Sequence, residues 1–206
     1  AGNPLLLTMM AILNRYRDLP RDRAELYKEC SNLLLQQWKV EDALRADPDL
    51  ATDALAIGLR EKQDMLRCLA RAMQTGANGS LGNLIATDRL ETIIEDAVKS
   101  LVKGNPRAVA RALIHHLRER NFILCFAGGN SYAFVHRTFL EYFCADDLRV
   151  RFEHEKSIDV EYLKTQVFGL HWSDETWHEV LCLVAGMIHP NALAGILECL
   201  LAGFVA

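Results

Sequence analysis

Phe122-Ile123-Leu124-Cys125-Phe126-Ala127-Gly128-Gly129-Asn130-Ser131-Tyr132-Ala133-Phe134-Val135 is the stretch that decides the fold. Two short aromatic and β-branched runs flank a Gly-Gly-Asn turn, whose residues tolerate the left-handed backbone of a tight hairpin. The segment predicts one β-hairpin. On either side the apolar spacing changes to the helical period. Downstream, His136 to Arg151 carries Phe139, Tyr142, Phe143 and Leu148. Upstream, Pro106 to Arg120 carries Val109, Leu113, Ile114 and Leu117, after the punctuation Gly104-Asn105-Pro106. Before it, a helix opening at Thr87 has Leu90, Ile93, Ile94, Ala97 and Leu101 as its stripe. Helix Leu55 to Gln74 precedes that, with Leu59, Met65, Leu66, Leu69, Ala70 and Met73 inward. Helix, helix, helix, hairpin, helix is the order of a winged helix with one more helix behind the wing.

Further out the chain reads as helical throughout. Pro4 to Tyr16 predicts a helix with Leu5, Met9, Ile12, Leu13 and Tyr16 on one stripe. Leu19-Pro20 ends it, because proline disfavours helix in the residue before it. Arg21 to Trp38 forms the second arm of a hairpin of helices. Lys39 to Asp53, with Asp47-Pro48-Asp49, predicts a loop, and Gly76 to Gly82 predicts another. Ile158 to Phe204 continues in helical stripes that could begin a repeat array. The expected architecture is mainly α: a helical domain over 1–54, a winged-helix domain over 55–154, and a second helical segment over 155–206. The apolar end Gly203-Phe204-Val205-Ala206 reads as the interior of a longer chain.

Half of the 206 residues are apolar, and the formal net charge is −4. Nothing in that balance attracts nucleic acid or an anionic membrane, so such binding would need a local basic patch. The most apolar stretch, Val180 to Ala206, is interrupted by His189-Pro190-Asn191 and Glu198. Its uninterrupted runs are too short to span a bilayer core of about 30 Å. The six cysteines are widely spaced without a C-x-x-C pair. They are expected to be reduced core residues of a cytoplasmic protein.

Three stretches resemble one family. Gly2-Asn3-Pro4-Leu5-Leu6-Leu7-Thr8-Met9-Met10 with Leu19-Pro20-Arg21-Asp22-Arg23-Ala24-Glu25-Leu26-Tyr27 is similar to the helical segment after the ATPase core of NACHT-type STAND proteins. Phe134-Val135-His136-Arg137-Thr138-Phe139-Leu140-Glu141-Tyr142-Phe143-Cys144-Ala145 resembles the winged-helix signature of that family, and is the most specific part. Trp177 to Gly186 is similar to the helix that follows it, and NOD-like receptors share the layout. The resemblance implies a regulatory region that closes over an adenine nucleotide, ADP or ATP, bound in the intact protein. It implies that Pro4 sits against the adenine or ribose and that His136 reaches the β-phosphate of ADP. The implied partners are the chain's own upstream ATPase core and, on activation, further copies of the protein. Physical chemistry agrees for His136, which stands where a strand gives way to a helix start with its free N–H donors. Histidine can also take the donor form that a phosphate favours. The sequence departs from a complete ATPase, having no G-x-x-x-x-G-K-[ST] loop and no apolar strand ending in paired acids. The isolated chain is therefore expected neither to hold nucleotide nor to hydrolyse it.

Other readings compete. Asp146-Asp147 is expected to be a solvated helix face, not a metal or acid–base pair. His115 and His116 are adjacent, so they point to different faces and lack metal-ligand spacing. Arg137 is expected at the surface, with a second phosphate contact as the alternative. In DNA-binding winged helices the helix before the wing enters the major groove. Here that helix, 106–120, carries Arg107, Arg111, Arg118 and Arg120. Against a DNA reader stand Glu119, a wing tip without Lys or Arg, and the acidic net charge. No nucleophile paired with a base supports an independent enzyme.

Overall fold

The computed structural model describes residues 4–15, 18–37, 44–45, 50, 53, 56–76, 82–120 and 123–205, with side chains left out at 4–6, 37, 116–120 and 202–205. Helices α1 (Pro4–Asn14) and α2 (Arg23–Gln37) come first and pack on each other. The carboxylate of Asp22 accepts from the Ala24 amide at 2.6 Å and so caps α2. Then follow α3 (Leu59–Gln74), β1 (Ile85–Ala86), α4 (Thr87–Val98) and α5 (Pro106–Arg120). The wing is β2 (Leu124–Gly128) and β3 (Ser131–Phe134), followed by α6 (Arg137–Glu153). The C-terminal part holds α7 (Val160–Tyr162), a π-helical stretch Leu163–Phe168, α8 (Gly169–His171), α9 (His178–Met187) and α10 (Pro190–Val205). Among the described residues no helix is long and apolar enough to cross a membrane.

The predicted hairpin is present, and its turn uses the left-handed backbone anticipated for Gly128 (φ 87°), Gly129 (φ 56°) and Asn130 (φ 63°). The sheet also has a strand that periodicity did not show. β1 pairs antiparallel with β3 (Ile85 opposite Tyr132, Ala86 opposite Ser131), giving the order β1-β3-β2. Two residues are too few for an alternating pattern to be visible. The Asn130 carbonyl accepts from both the amide and hydroxyl of Thr87 at 2.9 Å, which ties the wing turn to the start of α4.

α6 is the spine. It lies against α3 on one side and α9 on another, while α2 packs on α3, α6 and α9. Phe134 from the wing stacks on Phe143 at 6.2 Å, and Tyr142 meets Phe143 and Tyr27 edge-on, so wing, spine and α2 share one apolar core.

Several expectations need correction. Asp146 and Asp147 are buried, 7% and 5% exposed, and face arginines of α3 instead of solvent. The stripe of α6 runs Phe139, Tyr142, Phe143, Asp146, Asp147, so its inner face includes both acids. Leu101 lies past the end of α4 in a turn and is 36% exposed. Cys30 and Cys144 are core residues, but Cys182 and Cys199 are exposed; all six thiols are free. Ile12 and Leu59, expected on inward stripes, are 37% and 38% exposed. The helix expected from Leu55 begins at Leu59, and residues 54 and 55 lie outside the described set, as do Tyr16 and Trp38. Most of the two expected loops, 39–53 and 76–82, also falls there. Asp53 is described and is 2% exposed; its carboxylate accepts from the amides of Lys103 (2.8 Å) and Gly104 (3.1 Å), fixing the α4–α5 connection.

Candidate functional site

His136 leaves the sheet and opens the spine. The Val135 amide still donates to the Ile123 carbonyl at 2.8 Å, and His136 has extended backbone (φ −136°, ψ 132°) as the N-cap of α6. Its Nδ1 accepts from the Thr138 amide at 3.3 Å and lies 2.8 Å from the Thr138 hydroxyl. With Nδ1 accepting from the Thr138 amide, the neutral ring carries its proton on Nε2. The half-buried imidazole thus presents an N–H donor at a helix start, where the backbone dipoles favour an anion. These residues fit a phosphate oxygen. The position of His136 was readable from sequence; the part played by Thr138 was not, although histidine two residues before a threonine at a helix start is an N-cap spacing.

The strand leading to His136 is fixed from its other edge. Asn83 donates its amide to the Phe134 carbonyl at 2.7 Å and accepts from the Phe134 amide at 3.1 Å. Nothing in the sequence pattern marked Asn83.

Arg137 is exposed, as expected of a surface residue, and its guanidinium is engaged within the protein. Its Nε donates to Glu141 at 2.8 Å, and a terminal nitrogen donates to the Thr176 carbonyl at 3.0 Å in the turn before α9. Burial raises the Glu141 carboxyl above its ordinary range, and the Arg137 guanidinium opposes that rise. Pro4 is the first residue of α1, and its side chain is outside the described set. The structure thus places the two expected nucleotide residues on α1 and α6 without describing a contact between them.

The arginines of α5 are tied down in part. Glu91 of α4 accepts from Arg107 at 2.7 Å and from Arg111 at 2.9 Å. The side chains of His116, Arg118 and Arg120 lie outside the described residues. Two members of the basic stripe that a DNA reader would need are therefore engaged by an acid of the neighbouring helix. Among the described residues no group of histidines, cysteines and acids has metal-binding geometry.

A search of curated proteins gave no match, and neither did a search of solved structures. A family model described as a winged helix-turn-helix domain C-terminal to NACHT matches residues 23–148. That span is more than half of the chain and runs from α2 to within α6, including the wing and His136. The matched unit is the winged helix that follows the NACHT ATPase, not the catalytic core. The chain belongs to the family of winged helix-turn-helix domains found C-terminal to NACHT.

Proposed function

We propose that this chain is the autoinhibitory region of a cytoplasmic STAND signalling ATPase, closing over ADP and restraining oligomerisation until nucleotide exchange. The observation that carries this reading is His136, held at the start of α6 with Nδ1 occupied by Thr138 and Nε2 left as the donor. His136 donates to the β-phosphate, and Pro4 lines the adenine or ribose from the start of α1. The nucleotide supplies the anion that favours the closed form; the chain supplies the donor and the rigid spine behind it. Its partners are the upstream ATPase core and, after opening, other copies of the same protein.

A charge-assisted hydrogen bond of this kind is worth roughly 1.5–3 kcal/mol, about one to two decades in the closed–open equilibrium. In protein that includes the NACHT core, His136→Ala is expected to speed ADP release by that factor and to raise basal oligomerisation. Loss of the Thr138 cap is also expected to lower the melting temperature of the present chain by a few degrees without unfolding it. Unchanged ADP release would leave His136 a structural cap alone and remove the reading. A salt titration against duplex DNA tests the rival winged-helix reader, and steeply salt-dependent sub-micromolar binding would favour it.

A further inference from the structure

The Thr176 residue is held from every side. Its amide and hydroxyl both donate to Asp174 Oδ1, at 2.8 and 2.7 Å. Its carbonyl accepts from two side chains on separate helices, Gln74 at the end of α3 (2.9 Å) and Arg137 at the start of α6 (3.0 Å). The next residue, Trp177, is buried, donates to the Asp174 carbonyl, and precedes α9. This turn is therefore where the end of α3, the start of α6 and the start of α9 meet.

Arg137 follows His136 directly in the chain. The first turn of a helix is its least constrained part, because its amides lack intrahelical acceptors. The first turn of α6 is fixed by the His136–Thr138 cap and by Arg137, whose guanidinium fork spans Glu141 on its own helix and Thr176 outside it. A lysine at this position has no rigid fork to hold the two acceptors in a fixed geometry. We propose that Arg137 is the positioning residue of the His136 site, aiming the imidazole and coupling it through the Thr176 carbonyl to the C-terminal segment that starts at α9. This rests on the nucleotide-sensing reading of His136, but its structural half stands apart from it. Movement of α9 pulls on Thr176, and the pull reaches the nucleotide donor through one side chain.

The test uses two readouts on the same variants. In the present chain, nitrogen NMR of the His136 ring reports the tautomer, and amide exchange reports the turn from Thr176 to Leu181. In protein that includes the NACHT core, ADP release reports function. Arg137→Ala is expected to mix the His136 tautomers, to raise exchange in the turn about three- to tenfold, and to speed ADP release similarly. Arg137→Lys, which keeps the charge and guards against misfolding, is expected to restore fold stability but only part of the tautomer preference. Gln74→Ala removes the other donor to Thr176 and should loosen the turn, with a smaller effect on the His136 ring than Arg137→Ala because Arg137 keeps its contacts. Wild-type tautomer and ADP release in both Arg137 variants would overturn the proposal, as would a His136 response to Gln74→Ala equal to that of Arg137→Ala. If His136→Ala leaves ADP release unchanged, the nucleotide reading fails, and the tautomer and exchange data still decide whether Arg137 positions the ring.

Discussion

Asp146 on α6 accepts from Arg67 on α3 at 3.0 Å, with 10% and 11% of the two side chains exposed. Arg149 adds a second charged donor to Asp146 at 2.7 Å, and Asp64 also pairs with Arg67. One turn along α3, Arg71 pairs with Asp147 at 3.2 Å, and burial raises the Asp147 carboxyl against that attraction. The main helix–helix contact of the fold therefore carries a layer of charge inside its apolar packing. Asp146→Ala would leave Arg67 buried without its interhelical acceptor, at an expected cost of roughly 3 kcal/mol. Replacing Arg67 and Asp146 together with Met and Leu should cost much less, since desolvation of the pair consumes most of its attraction. Urea unfolding of the single and double variants checks both statements.

Gly169 closes the π-helical stretch, its amide bonding to the Lys164 carbonyl five residues back. A Cβ there would lie 2.7 Å from that carbonyl oxygen, which is backbone and cannot swing aside. Gly169→Ala is expected to lower stability by about 1–3 kcal/mol through this overlap. Gly186, where a Cβ meets nothing within 4 Å, is the control. Gly186→Ala should be neutral or mildly stabilising in the same thermal melt, because alanine is the better helix former.

His171 stacks on Trp177 with ring centroids 3.9 Å apart and planes 5° from parallel. Burial lowers its pKa from the ordinary 6.5, only partly offset by the nearby Asp174 carboxylate. In the unfolded chain the imidazole takes up a proton first as pH falls. This group's contribution to stability is therefore complete above about pH 6.5 and is lost progressively below it. Denaturant midpoints measured from pH 8 to 5 should show this slope, and His171→Phe should remove its share.

The thiols should divide by depth. Cys182 and Cys199 are exposed, whereas Cys30 and Cys144 are buried. Burial pushes the Cys30 thiol up to about 11 and raises Cys144 as well. Brief iodoacetamide treatment of the native chain followed by peptide mass spectrometry should find Cys182 and Cys199 alkylated, with Cys30 and Cys144 protected until denaturant is added. Protection of Cys199 in the native chain would indicate that α10 is covered by another molecule in solution.

The winged helix was legible because its signals are local: the Gly128-Gly129-Asn130 turn, the change of period at His136, and the Gly104-Asn105-Pro106 break all act within a few residues. Asp146 and Asp147 were misread because their partners Arg67 and Arg71 lie 79 and 76 positions away. A carboxylate is ordinarily solvated, and only the facing arginines make its burial tolerable. The continuing stripe from Phe139 through Tyr142 and Phe143 was the clue available, since it runs straight through both acids. In the candidate site, His136 stood out through the resemblance of its stretch to the family's winged-helix signature, and the meeting of strand and helix patterns there agreed with it. Arg137 was placed at the surface, but its contact to the Thr176 carbonyl was not legible, because that partner belongs to a turn that periodicity cannot register. Asn83 escaped notice for a similar reason, acting through its side chain beside a strand of two residues.

That asparagine also has a consequence for what can dock on the sheet. β1 covers β3 only at Ser131 and Tyr132, which would leave the Phe134 backbone open on that side. An unpaired rung of this sort is a template on which a foreign strand can grow. The Asn83 carboxamide offers one donor and one acceptor to Phe134, as a neighbouring peptide unit would, but has no chain beyond it to extend the ladder. It works as a plug at the sheet margin, guarding the strand that carries His136 against β-augmentation without the length of a full third strand.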